Sequence, residues 1–136
     1  MSTSLLDKYT KRADDPFAVP SPPDQDETDD YGAFGWLRGV RDKALMLELR
    51  KKDGSIRAVG YAWLHEADLD PSAGITLHVV GQKIRIIGRN LNAENRPNIR
   101  LFSGIMRHRV PFIQEADQVT LMKARDGETV IEKIEW

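Results

Sequence analysis

From Trp36 onward, apolar and polar residues alternate with a period of two. Leu45, Leu47 and Leu49 interleave with Met46, Glu48 and Arg50, the pattern of a strand with one face buried. Lys52-Asp53-Gly54-Ser55 follows, and its glycine tolerates the positive φ of a tight hairpin turn. The run Ile56–Leu64 is therefore expected to pair back on the first strand. After the break at Asp70-Pro71-Ser72-Ala73-Gly74, Ile75, Leu77 and Val79 alternate with Thr76, His78 and Val80. Gly81-Gln82-Lys83 then turns the chain into Ile84–Ile87. Four successive strands joined by short turns predict an antiparallel meander.

The period changes only between Asn95 and Arg109. Leu101, Phe102, Ile105 and Met106, with Ile99, form a helical stripe, Arg107, His108 and Arg109 suit the C-terminal end of its dipole, and Pro111 stops it. Gly104 in its middle is expected to cost ~1 kcal/mol relative to alanine. Val119–Lys123, a turn at Arg125-Asp126-Gly127-Glu128, and Thr129–Ile134 predict two closing strands. The expected fold class is α+β, mainly antiparallel β: a small curled sheet or barrel of about six strands with one helix.

Charge separates the front of the chain from the rest. Residues 1–35 carry three basic residues and eight acids, a balance of −5; residues 36–136 carry 17 basic and 13 acidic residues, a balance of +4. Pro16, Pro20, Pro22 and Pro23 fall in the same acidic stretch, where like-charge repulsion and missing donors leave little to offset the entropy of ordering. Residues 1–35 are expected to form an acidic flexible tail and residues 36–136 a single mainly-β domain. The tail is expected to be solubilising; the alternative is a short peptide that docks on a partner or on its own body through its apolar residues Phe17, Val19, Tyr31 and Phe34.

Candidate chemistry is sparse. The chain has no cysteine, which excludes disulfides, thiolate metal sites and a cysteine nucleophile. His65, His78 and His108 have no metal-ligand spacing, and His78, alternating within a strand, is expected to face solvent or pair across the sheet. No catalytic residue, metal or cofactor is assigned. The acids Glu66, Asp68 and Asp70 share a strand face and are a candidate cation or acid–base cluster; with Glu115 and Asp117 they read first as solvated strand ends. Trp63–Asp68 echoes Phe112–Asp117, an aromatic followed by a Glu-Ala-Asp exit. No secretory leader or 18-residue apolar span is visible, so a cytoplasmic protein without membrane contact is expected.

Basic residues concentrate at Lys83, Arg85, Arg89, Arg96, Arg100, Arg107 and Arg109, opposed in that stretch only by Glu94. Arginine suits bidentate contact with phosphate or carboxylate. The first functional expectation is a non-enzymatic binding or assembly module that self-associates or binds a protein through sheet surfaces. The alternative is an RNA- or DNA-binding small barrel using these arginines, modulated by the acidic tail. A hydrolase-type enzyme using the clustered carboxylates stands third.

Overall fold

The computed structural model describes residues 28–39 and 41–136. The alternation at Met46–Arg50 forms strand β3, which pairs antiparallel with Ile56–Gly60 (β4) through the expected hairpin. Leu47 and Leu49 are buried, whereas Leu45, just ahead of the strand, is 85% exposed. The second run is shorter than expected. It ends at Gly60, a single 3-10 turn at Tyr61–Trp63 redirects the chain, and Leu64–Asp70 continues as β5 in a different sheet. Gly74–Val79 (β6) and Gln82–Arg89 (β7) complete the meander, and Val130–Glu135 (β9) adds to β7. The ladder shifts register between Ile87 and Gly88. A side chain at Gly88 would run into the Val130 carbonyl, so glycine permits the two backbones to meet there.

Three expectations change. The Val119–Lys123 strand is instead helix α2, Gln118–Lys123. Asp117 caps it by accepting the Thr120 N–H at 2.8 Å, and a satisfied N-terminus overrides the β propensity of Val119 and Thr120. The helix expected over Asn95–Arg109 contracts to α1, Leu101–Met106; Asn98 and His108, both at positive φ, bracket it. Instead of one small curled sheet or barrel, the strands form three sheets: Thr28–Asp30 (β1) with Gly35–Leu37 (β2), β4–β3–β8 and β5–β6–β7–β9, where β8 is Phe112–Gln114. β8 lies parallel to β3, with Leu49 opposite Ile113, a pairing that no adjacent-strand meander supplies. The echo between Trp63–Asp68 and Phe112–Asp117 does not extend to their surroundings: Trp63 ends the 3-10 turn and Leu64–Asp68 lie within β5, antiparallel to β6, whereas Phe112–Gln114 is β8, parallel to β3, and Glu115–Asp117 leave it for a helix cap.

The boundary expected after residue 35 also moves. Thr28–Asp30 (β1) pairs with Gly35–Leu37 (β2), Asp29 lying opposite Trp36. Phe34 is fully buried and bridges to Ile113 of β8. The acids here do not prevent folding because they are spent at the surface. Asp29 meets Arg38 at 2.8 Å, and Asp30 accepts the Gly32 N–H at 2.8 Å, while Phe34 and Trp36 carry the burial. The remainder of the expected tail, residues 1–27, lies outside the described residues.

All three sheets and α1 share one core, with Phe34 and Trp36, Leu47 and Leu49, Ile84 and Ile86, and Leu101 and Ile105 among its members. Two polar side chains tie the parts together. Glu115, only 7% exposed, accepts the Lys52 N–H at 2.8 Å and the Ile134 N–H at 2.7 Å. It thereby joins the end of β3, the end of β8 and β9. Arg109 donates to the carbonyls of Leu37 (2.7 Å), Asp42 (3.2 Å) and Gly39, with its guanidinium over the Trp36 ring. That grip closes the loop after β2 onto the chain beyond α1. Among the described residues, no helix is long and apolar enough to cross a membrane.

Candidate functional site

β4 lies at the edge of its sheet. Lys51 donates to the Ser55 carbonyl and Tyr61 to the Leu45 carbonyl, which fixes the phase of the β3–β4 ladder. With the observed register, Leu49–Arg57 and Leu47–Val59 are hydrogen-bonded pairs, and Ile56, Ala58 and Gly60 sit at non-bonded positions. The backbone groups of those three residues therefore point outward, away from β3. Their side positions form the outer face of the strand, where Ile56 is 59% exposed. Trp63, which is 60% exposed, stands over Gly60 on that face; a Cβ on Gly60 would touch its indole and lie 3.7 Å from the Met46 sulfur. Met46, Ala58, Gly60, Trp63 and Val80 line one open depression of about 510 Å³. Gln82 shares the depression, so the exposed Trp63 stands at a mixed polar and apolar surface.

The predicted basic residues do not occupy one surface. Arg85 reaches Glu135 at 3.8 Å and the Ala73 carbonyl at 3.3 Å; Arg89 pairs with Glu132 at 3.2 Å. Arg100, at the N-cap of α1, reaches Glu94 at 3.7 Å and the Asn92 carbonyl at 3.1 Å. Arg96 lies over the Tyr31 ring at 5.9 Å. Lys83 is on the open face of β7. Only Arg107 and Arg109 converge, lining a cleft of about 700 Å³ together with Trp36, Arg41 and Lys43. Arg41 and Lys43 fall outside the basic stretch singled out in the sequence, and only the fold brings them to it.

The carboxylates separate by role. Asp70 turns back to accept from the N–H and hydroxyl of Ser72 at 2.9 and 2.8 Å, and those hydrogen bonds hold its carboxyl below the usual range. Asp117 is held low in the same way by the Thr120 N–H, and Asp53 by the Ser55 N–H. Glu66 and Asp68 remain on the open face of β5. His78 of β6 joins them: it lies directly opposite Glu66 and places Nε2 3.1 Å from the Asp68 Oδ2. Buried Tyr61 donates its hydroxyl to the Val110 carbonyl at 2.6 Å and stacks on His108, and burial raises its phenol pKa.

No family model, curated protein or solved structure matches the chain.

Proposed function

We propose that the protein is an assembly module that self-associates through the outer edge and face of β4. One observation carries the reading: Ile56 at the start of this edge strand and Trp63 in the turn just past its end are large exposed apolar groups that a two-fold axis through Ala58 would bring together. Antiparallel pairing of β4 with its own copy, centred on Ala58, sets Ile56 against Gly60 of the second copy. Trp63, which stands over Gly60, then packs on that Ile56. Ala58 meets Ala58, and Arg57 falls opposite Val59 rather than opposite itself, so no like charges are paired. The outward backbone groups of Ile56, Ala58 and Gly60 supply the hydrogen bonds of the pairing. An unprotected edge without proline favours it. A single-strand contact of this kind falls in the small interface class, below ~1,200 Å², so the association is expected to be weak and concentration-dependent.

Sedimentation of the full chain across roughly 1–500 μM tests this. The expected result is a monomer–dimer equilibrium that Ala58→Glu abolishes, because one substitution on the axis sets two like charges opposite each other. Ala58 is exposed, so the variant keeps its fold. A monomer throughout, or a dimer indifferent to Ala58→Glu and Trp63→Ser, refutes the reading.

A second reading rests on the cleft where Arg41, Lys43 and Arg107 gather beside Trp36, with Arg109 held there on backbone carbonyls: a contact for a nucleic-acid backbone. Binding of a labelled single strand that weakens steeply with salt, and that falls further in Arg41→Glu/Arg107→Glu, supports it. Salt-insensitive binding, or none at low salt, removes it.

A further inference from the structure

Glu66, Asp68 and His78 place a carboxylate oxygen each and an imidazole nitrogen within 4.8 Å of one another on the open face of the four-stranded sheet. We propose that they form a site for one borderline divalent transition ion such as zinc. The donors differ in kind, two hard oxygens and one imidazole nitrogen, a mixture that suits zinc, cobalt, nickel or manganese better than magnesium. They also come from two neighbouring strands at a fixed register. Glu66 and His78 are a direct cross-strand pair, and Asp68 is two residues along the same face of β5. Rigid strands hold such a set with little ordering cost.

Two further features favour an ion over a solvated sheet surface. Among the described residues, neither Glu66 nor Asp68 is ion-paired with a lysine or arginine, although five other carboxylates, Asp29, Glu48, Glu94, Glu132 and Glu135, are. Two carboxylates thus converge on a single imidazole; Lys83, the cross-strand neighbour of His78 on the same face, makes no ion pair with either among the described residues, and a divalent ion between them relieves their repulsion. In addition, the β5–β6 ladder shifts register between Leu64 and Glu66, leaving His65 at the irregularity with its ring centroid 6.3 Å from that of His78. A bulge re-aims side chains in this way and offers a fourth ligand, with water completing the shell. Bonds of about 2.1 Å to zinc require donor atoms roughly 3–4 Å apart, so side-chain rotations of about 1 Å close the set. This site lies on a different sheet from the β4 edge and stands or falls independently of self-association.

The test is titration of the full, tag-free chain with zinc chloride, followed by calorimetry and by the NMR signals of the histidine rings. The expected result is one ion per chain, displacement of the His78 ring signals, at least a ~10-fold loss of affinity in His78→Ala and in Asp68→Asn, and no change in Glu94→Gln. Magnesium in place of zinc is expected to leave the ring signals where they are. Absence of saturable binding up to ~1 mM zinc, or binding that survives His78→Ala undiminished, overturns the assignment. All the substituted residues are exposed or half-buried on the surface, and the ring signals of the unmodified chain read the site without any substitution.

Discussion

Glu115 and Glu66 occupy matching positions in two Glu-Ala-Asp segments, yet one is buried under the sheets and the other faces water. Nothing local distinguishes them. What separates them is the pair of backbone donors, Lys52 and Ile134, that tertiary folding delivers to Glu115. Glu115→Ala leaves both unpaired and is expected to cost about 1–3 kcal/mol for each donor stranded, read as a lowered urea midpoint with an unchanged slope. Arg109 shows the same blindness: its place in a basic stretch suggested an anion, and the structure turns it onto backbone carbonyls. Tyr61 yields a pH prediction. Its folded pKa is raised above the unfolded value by burial, so its contribution is complete below about pH 10 and is lost as pH rises toward the folded value. Chemical denaturation of the native chain is expected to show stability falling above pH 10, and Tyr61→Phe to flatten that fall while costing about 1 kcal/mol at neutral pH.

Strands whose apolar residues alternate beside a glycine turn were legible at the level of elements: β3, β4, β6, β7 and β9 all coincide with runs marked by Leu, Ile and Val. Of the two short helices, α1 was read in the right place with too long a span, and α2 was read as a strand. In α2 the branched residues Val119 and Thr120 suggested a strand, but no residue of this segment is buried, so no sheet packing rewards that propensity and the Asp117 cap decides. The carboxyls of Asp53, Asp70 and Asp117 are all held low by hydrogen bonds in the folded state. Their contribution is present above about pH 4 and is lost as pH falls through the lower folded values. Amide protection at Thr120, relative to the intrinsic exchange rate at each pH, is therefore expected to fall below pH 4 and, in Asp117→Ala, at every pH, with little change in global melting. In α1, Gly104 looked like a simple propensity cost. A Cβ there would strike the Trp36 ring and come within 2.9 Å of Val110. Gly104→Ala is thus expected to destabilise by about 1–3 kcal/mol through overpacking, although helix propensity alone argues for a gain of about 1 kcal/mol. Thermal denaturation distinguishes the two signs.

On the scale of the whole molecule, long-range pairings were hidden. The parallel β3–β8 ladder and the Phe34–Ile113 bridge join segments more than sixty residues apart, and periodicity carries no information about such partners. The same pairings draw residues 28–35 into the body despite their acids. The arginines expected to share one face are spread across β7, the loop before α1 and the chain after it, several of them against carboxylates. The edge position of β4, by contrast, follows from the topology: a meander that leaves its first sheet at Gly60 gives its last strand a strand partner on one side only among the described residues.

That edge gives the most direct test. Residue-resolved amide hydrogen exchange, measured on the full chain at low and high protein concentration, separates the two sides of β4. The account predicts that Ile56, Ala58 and Gly60 slow markedly as concentration rises, whereas Arg57 and Val59, already bonded to β3, change little. Exchange at Ile56, Ala58 and Gly60 that is fast and independent of concentration would contradict it.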